Sequence, residues 1–353
     1  MRSATPKTRL AFLVPLFTAC AIATACSDAH ETRQTRQIPE ESTGTTSQDL
    51  APARHDPRTA LVLPGPAFYP ESVNMTPDGT FYVGSLGTGA VVRVPRGATN
   101  AEPFVAPQAS LLTLGVLPDV ARHTLWTCVY DETKIPPAQQ PSSIRGYDLT
   151  SGTRIASYDM PGNADSFCND LALDERGNLY ATDSAVNTLV KLAPDAKALV
   201  TWATNPLFAP APGSPGNFPT LNGILFDRYR HRLIVAKSDG NQILSVPIRL
   251  DGRPGDVSVI AIDPPVLFPD GIEQVDENTL VANEHMAGTV SVVKLSNHGT
   301  SGQKQVIASD LREPTSATIF EGSAWVSVSQ ERFFDGQPGS PTLPFAIQRF
   351  ALP

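Results

Sequence analysis

A repeating unit runs through this chain from about residue 61 to its end. In each copy, a Pro/Gly-rich or polar loop leads into a short apolar strand, and a turn and a second strand follow about ten residues later. Two copies align closely, because Tyr82–Ser85 and Tyr180–Asp183 are separated by the same offset as Glu71 and Asn169. A period of about 40–50 residues built from short strands is typical of propeller blades.

Six copies fit the chain, the weaker two at Leu112–Leu149 and Pro314–Phe350. The strands are rich in Val, Ile, Leu and Tyr and are bounded by Asp-Gly, Gly-Asn and Pro-Asp turns, which indicates antiparallel hairpins. We therefore predict an all-β fold, a six-bladed β-propeller whose four-stranded antiparallel blades surround a central channel.

The ring of blades needs a seal, because the edge strands would otherwise stay unpaired. We predict that the early run Ala60–Leu63 forms the outer edge of the final blade, beside the C-terminal run Ala346–Leu352. The alternative is that Ala60–Leu63 only tethers the domain.

The N-terminus differs from the repeats. Arg2, Lys7 and Arg9 precede the apolar stretch Leu10–Ala25, which is short for a membrane span and ends in small residues. This pattern is typical of a secretory signal peptide, which we assign to residues 1–25. Residues 26–57 are rich in Thr, Ser, Glu, Gln and Asp, so we predict a flexible tether there and the propeller in residues 58–353.

The residues at the end of the predicted signal peptide indicate the cellular location of the protein. Ala23–Cys26 resembles a bacterial lipobox, in which the Cys is lipidated and becomes the mature N-terminus, although Ala replaces the usual Leu at the first position. A second imperfect match ends at Cys20. We expect an exported protein of a bacterial cell envelope or periplasm, lipid-anchored at Cys26. The alternatives are a plain cleaved secretory signal and an uncleaved anchor.

The charge and the cysteine content restrict which classes of partner and which covalent bonds we expect. The formal net charge is −8, and no basic cluster or aromatic–basic interleaving is present, so we expect no nucleic-acid partner. Membrane contact is expected only through the lipid anchor, and the protein is expected to be a monomer. Cys128 and Cys168 could pair in an oxidising compartment, but they fall in adjacent blades, and we expect two buried unpaired thiols. Neither has the spacing of a zinc site.

Four short polar motifs stand at equivalent places in successive repeats: PESV with Glu71, CNDL with Asn169, LNGI with Asn222 and PDGI with Asp270. A toroid of repeats would aim all four side chains at one axis. Two carboxylate and two amide oxygens are hard ligands that suit Ca²⁺. The structural alternatives are a solvated loop acid at Glu71 and turn residues at the other three positions. The motifs precede strands instead of joining hairpins, which favours ligation.

Together these motifs, with Thr-Asp shortly after the second, resemble the senescence marker protein/gluconolactonase family, also called the gluconolactonase and luciferin-regenerating-enzyme-like group. Diisopropyl fluorophosphatase and the paraoxonases are more distant relatives of that family. The resemblance covers roughly Leu61 to the C-terminus. It implies a six-bladed propeller that holds Ca²⁺, or alternatively Zn²⁺, Mn²⁺ or Mg²⁺, near the channel mouth and hydrolyses lactones or related esters. The chain departs from the family in having PES where many relatives have Glu-Gly, and Gly115 and Thr315 in place of further ligands.

Asp270 is the candidate catalytic residue. Among the four ligands only Glu71 and Asp270 could act as a base, because Asn amides do not accept protons at neutral pH. The resemblance implies that the acid of the DG motif is a general base on water or, in phosphotriester-cleaving relatives, a nucleophile. Asp183 and His285 follow second strands of their repeats and are candidates for contact with substrate or with a ligand residue, with structural roles as the alternative. Asp170 is expected to make a structural hydrogen bond.

Three functions fit this pattern. The first is a metal-dependent hydrolase acting on a small-molecule lactone or ester, sugar lactones included. The second is a non-catalytic, envelope-anchored propeller with a structural metal, whose rim binds a protein or polysaccharide. The third is a metal-independent enzyme similar to strictosidine synthase, against which the complete ligand set argues. The sequence contains no Gly-x-Ser-x-Gly motif, so a serine hydrolase of that type is not expected. Long loops at 131–142, 203–220 and 330–344 are expected to rim or roof the pocket.

Overall fold

The computed structural model describes residues 58–134, 139–162, 165–214 and 219–353. The predicted signal peptide, the lipobox cysteines and the tether therefore lie outside the described residues. Within the described ranges, no helix has the length and apolar character needed to cross a membrane.

The regular secondary structure of the described residues is almost entirely β, as predicted. The first sheet contains β2 (Pro70–Met75), β3 (Phe81–Ser85), β4 (Val91–Val94) and β5 (Glu102–Val105). The second contains β6 (Leu111–Asp119), β7 (Thr124–Asp131), β8 (Ser142–Asp148) and β9 (Arg154–Asp159). The third contains β10 (Cys168–Leu173), β11 (Leu179–Asp183), β12 (Thr188–Leu192) and β13 (Val200–Ala203).

The next part of the chain forms one eight-stranded sheet instead of two separate four-stranded ones. Its strands are β14 (Leu221–Asp227), β15 (Arg232–Lys237), β16 (Gln242–Pro247), β17 (Ser258–Asp263), β18 (Pro269–Asp276), β19 (Thr279–Glu284), β20 (Thr289–Ser296) and β21 (Ser301–Ala308). The outer strands β17 and β21 pair in parallel, with Ala261 opposite Ser301, and this pair joins two antiparallel four-strand runs.

The last sheet closes the ring. It contains β22 (Pro314–Phe320), β23 (Ser323–Val328) and β24 (Ala346–Ala351), and its outer strand is β1 (Ala60–Val62). Leu61 pairs with Ile347, so the predicted seal between the early strand and the C-terminal strand is confirmed. Leu61 and Ile347 are fully buried in one core cluster with Phe81 and Trp325, which ties the first sheet to the last.

The sheets are arranged as a propeller around a channel. The first strand of each four-strand run contacts the first strand of the next, in the closed order β2, β6, β10, β14, β18, β22 and back to β2. A cavity of about 610 Å³ lies in the channel, lined by the middle and last parts of these inner strands. Six clusters of buried apolar side chains fill the spaces within and between the described sheets.

Strand direction defines two faces of the ring. Every inner strand begins at the same end, which we call the upper face, because connections between successive sheets and between second and third strands return to that end. The three long loops join β7 to β8, β13 to β14 and β23 to β24, so their described parts lie on the upper face. A short helix, α1 (Glu331–Phe334), lies in the last of these loops.

Cys128 and Cys168 form a disulfide, and the expectation of two unpaired thiols is wrong. The bond joins β7 to β10 across two adjacent sheets. The two Cα atoms are 5.3 Å apart, within the range that a disulfide spans. The expectation failed because sequence separation does not report the distance between strands of neighbouring sheets.

Candidate functional site

The four candidate ligands occupy one structural position. Glu71, Asn169, Asn222 and Asp270 are each the second residue of an inner strand, in β2, β10, β14 and β18. All four are buried, with exposed fractions of 5–8%. They therefore stand at equivalent places on the upper face, at the start of strands that line the channel.

Each of these four strands has a β-bulge at the candidate ligand. The ladder between first and second strands is interrupted between Pro70 and Val73, and the equivalent interruptions follow Cys168, Leu221 and Pro269. A bulge turns a side chain out of the regular pleat and leaves backbone groups unpaired. In each of the four strands the bulge therefore changes the direction of the candidate ligand side chain. It also leaves backbone N–H and C=O groups free to bond partners outside the ladder.

Side chains of neighbouring strands bond those released backbone groups. Thr315 Oγ1 donates to the carbonyl of Glu71 at 2.5 Å. Thr182 Oγ1 donates to the carbonyl of Asn222 at 2.7 Å and accepts from the N–H of Asp170 at 3.2 Å. The bonds to Glu71 and Asn222 cross from one sheet to the next, and the bond to Asp170 lies within the third sheet, so the backbones of neighbouring candidate ligands are held relative to one another.

The glycines of the NGI and DGI motifs lie inside strands, where the inner strands approach each other closely. A Cβ atom at Gly223 would lie 2.4 Å from the carbonyl oxygen of Asp270. One at Gly271 would lie 2.5 Å from the carbonyl oxygen of Thr315. Both glycines are therefore required by packing around the channel, and neither motif is a hairpin turn.

Burial raises the pKa of both carboxyl groups of the candidate set. Burial is the main cause that raises the pKa of Glu71 well above its usual value, and the negative charges of Asp270, Asp170 and Glu331 add to it. Burial likewise raises the pKa of Asp270 to about 8, with Glu331 adding and His285 opposing. Two buried acids at one position are stabilised in the ionised form only by a positive partner.

Two oxygens of this set lack hydrogen bonds. Glu71 Oε2 and Asn222 Oδ1 are buried without a hydrogen-bond partner. Buried acceptors are almost always paired, and a hard cation between carboxylate and amide oxygens would pair these. The described residues contain no cluster of three or more His, Cys, Asp or Glu suited to a metal. A site here would thus depend on the two Asn amides as well as the two carboxylates.

Among the described residues, His285 and Glu331 form a pair beside this set that the sequence did not reveal. His285 Nε2 lies 3.2 Å from Glu331 Oε2, at the start of α1. Burial lowers the pKa of His285, but the adjacent Glu331 and the charge of Asp270 outweigh it and raise that pKa to about 9. Glu331 was missed because it lies in the long loop 330–344, and no local pattern indicates that this loop returns to the channel mouth.

Asp183 and Asp170 both bond backbone groups. Asp183 is fully buried, and its Oδ1 accepts from the N–H groups of Phe167, Ala185 and Val186 at 3.0–3.2 Å. It thereby holds the segment that leads into Asn169. Asp170 accepts from the N–H groups of Leu171 at 2.8 Å and Ile224 at 3.1 Å, which is the structural role expected for it.

Comparisons with known proteins identify the fold. No protein-family model matches the chain, and no curated protein matches its sequence. Among solved structures it is similar to the gluconolactonase XC5397 from Xanthomonas campestris, with a TM-score of 0.58, 17% identity and coverage of 81% of this chain and 87% of that one. It is also similar to virginiamycin B lyase from Staphylococcus aureus, with a TM-score of 0.52, 12% identity and coverage of 83% and 98%.

A third similar structure is the allergen Mala s 1 from Malassezia sympodialis, with a TM-score of 0.61, 14% identity and coverage of 83% of this chain and 96% of that one. At these identities the similarity shows a shared β-propeller fold. A shared fold does not define an activity, which depends on the residues of the site.

Proposed function

We propose that this chain is a metal-dependent hydrolase of lactones or small esters, built on a six-bladed β-propeller. The blade count follows when the eight-stranded sheet is divided at its parallel β17–β21 pair, since six inner strands then contact one another in a ring. The observation that carries the function is that four polar side chains share one buried position at the start of four inner strands, and that Glu71 Oε2 and Asn222 Oδ1 have no hydrogen-bond partner there. The similarity to a gluconolactonase structure supports the proposal at the level of the fold.

Glu71, Asn169, Asn222 and Asp270 would hold the ion, for which Ca²⁺ is the best candidate and Zn²⁺, Mn²⁺ and Mg²⁺ are alternatives. When bound, such an ion polarises a substrate carbonyl and stabilises the oxyanion that forms there. It would also compensate the two buried carboxylates, whose pKa values are raised without it.

Asp270 would act as base or as nucleophile. As a base, its carboxylate takes a proton from water while the water oxygen bonds to the carbonyl carbon, and the ester C–O bond then breaks with the proton passing to the departing alkoxide. As a nucleophile, its oxygen would attack the carbonyl carbon directly, and water would later hydrolyse the acyl group. His285, held next to Glu331, would offer an N–H to the substrate beside it.

The site would act outside the cytoplasm if residues 1–25 direct export and Cys26 carries a lipid. The buried Cys128–Cys168 disulfide supports an oxidising compartment. We propose a monomer with a small-molecule substrate and no nucleic-acid partner.

The test is to measure metal content and lactone turnover of the purified protein before and after treatment with a chelator. We expect about one divalent ion per chain and loss of turnover on its removal, restored by Ca²⁺. Bound metal without turnover of any lactone or ester would instead favour a non-catalytic propeller with a structural ion. Turnover that survives complete metal removal would overturn the metal-dependent mechanism.

A further inference from the structure

Five partly exposed apolar side chains gather on one side of the upper face. We call them the apolar collar: Tyr69, Leu112, Tyr130, Phe167 and Phe334. All five pack against a single buried cluster that includes Leu86, Leu114 and the disulfide cysteines. Partly exposed apolar groups are ordinary when scattered, but a contiguous set next to a polar site is typical of a ligand surface.

Two ring contacts join collar residues that belong to different sheets. The rings of Tyr69 and Phe334 have centroids 5.5 Å apart, and those of Tyr130 and Phe167 are 5.3 Å apart. Tyr69 and Phe167 stand two residues ahead of Glu71 and Asn169, so they lie at the entrance to two candidate ligand strands. Phe334 shares the single turn of α1 with Glu331, which contacts His285. The collar therefore adjoins the candidate metal site.

The backbone at these entrances holds aromatic side chains in a costly conformation. Tyr69 and Phe268, each two residues ahead of a candidate ligand carboxylate, have φ values of 45° and 47°. A left-handed conformation is rare for bulky residues and persists where the surroundings enforce it, often at functional sites. Here the Tyr69 carbonyl accepts from the N–H of Leu86, and the Phe268 carbonyl accepts from that of His285.

The other side of the mouth is charged. It carries His285 and Glu331, and Glu313 with its partner Arg332 at 2.7 Å. A substrate that contacts both surfaces would place its carbonyl near the charged residues and an apolar group on the collar. The side chains of Leu112, Phe167 and Phe334 offer no hydrogen-bond partner, so burying the hydroxyl groups of a polyhydroxy lactone against them is unfavourable.

We propose that the substrate of this site is a lactone or ester that carries an alkyl chain or an aromatic ring, and that the collar binds this apolar group. The inference rests on the proposed function. Burial of apolar surface is favourable roughly in proportion to its area, so an alkyl chain of several carbons on the substrate gives strong discrimination against an unsubstituted ring.

Two lactones that differ only in a hexyl chain test the proposal, γ-decalactone and γ-butyrolactone, with glucono-δ-lactone as the polyhydroxy comparison. We expect kcat/KM for γ-decalactone to exceed the other two by at least about tenfold. Phe167→Ala and Phe334→Ala should each reduce the ratio of kcat/KM for γ-decalactone to that for γ-butyrolactone at least about fivefold. The matched control is Phe320→Ala, which removes a partly buried ring at the lower end of β22 and should not alter the ratio.

Binding of the hydrolysis-resistant lactams separates this inference from the proposed function. If no lactone or ester is hydrolysed, the proposed hydrolase is wrong, and calorimetry with γ-decalactam and 2-pyrrolidone still tests the collar. Tighter binding of γ-decalactam that both collar variants weaken supports the apolar site. Equal affinity for the two lactams, no binding of either, or equal turnover of the two lactones overturns it.

Discussion

The hydroxyl of Thr182 donates a hydrogen bond to the backbone carbonyl of Asn222 at 2.7 Å, across the boundary between the third sheet and the next. The same oxygen accepts from the N–H of Asp170, the residue after Asn169. A single side chain of β11 thereby connects the strands that carry two of the candidate ligands.

Thr182→Val should therefore weaken metal binding as well as the fold. Loss of a buried hydroxyl that serves two backbone groups should lower the free energy of unfolding by about 1–3 kcal/mol. Thr127→Val is the matched control, because Thr127 is equally buried and its hydroxyl bonds the carbonyl of Arg145 within its own sheet. Denaturant unfolding measures the loss of stability in each variant. Calorimetric Ca²⁺ titration should show reduced affinity for Thr182→Val and not for Thr127→Val. Equal affinities in both variants would contradict the positioning role.

Asp270→Asn and Glu71→Gln should separate ligation from catalysis. Asp270→Asn keeps an oxygen ligand but cannot accept a proton or attack a carbonyl, so turnover should fall by at least about 10²-fold while much of the metal affinity is retained. Glu71→Gln should mainly weaken metal binding. Turnover and metal content are measured for both variants. Wild-type turnover by metal-loaded Asp270→Asn would mean that Asp270 is only a ligand.

The metal-free protein should lose stability as pH rises. Burial raises the pKa of Asp270 to about 8, above the value of about 4 for an unfolded Asp, so the folded state holds a proton that the unfolded state releases. This contribution is fully present below about pH 4 and is lost as pH rises towards about 8. The pKa of Glu71 is raised by the same causes and acts in the same direction.

Melting temperatures between pH 5 and 9 in the presence of a chelator should therefore decline, and excess Ca²⁺ should flatten that decline. Asp270→Asn should reduce the slope, because one of the raised groups no longer titrates. A metal-free slope that Asp270→Asn leaves unaltered would show that other buried acids cause it. Glu273, whose pKa burial raises to about 7, would be the first of these to test.

Removing the disulfide should destabilise the fold measurably. Cys128 and Cys168 are 40 residues apart in sequence, and a bond that closes a loop of this size stabilises a protein by about 3–4 kcal/mol in the chain-entropy model. The double variant Cys128→Ala/Cys168→Ala should unfold at lower denaturant concentration than the wild type. Thiol counting under denaturing conditions supplies the control, since the described pair should yield free thiols only after reduction. Two titratable thiols at these positions in unreduced protein would contradict the bond.

Much of the fold was predictable because the repeat is local. The equal spacing of Glu71 from Tyr82 and of Asn169 from Tyr180 reports the register of one hairpin, and the first and third sheets have the expected strands. The shared position of the four polar residues could be inferred for the same reason, since each stands at the start of an inner strand.

The sequence by itself determined the all-β repeat, the closing strand and the position of Glu71, Asn169, Asn222 and Asp270 within each copy, because these depend on hydrophobic period and turn chemistry over a few residues. The tertiary structure alone decided the parallel pairing of β17 with β21, the Cys128–Cys168 bond and the approach of Glu331 to His285. Each of these joins segments far apart in the chain, and their meeting depends on how sheets pack and how long loops return. No short stretch of residues encodes such distances.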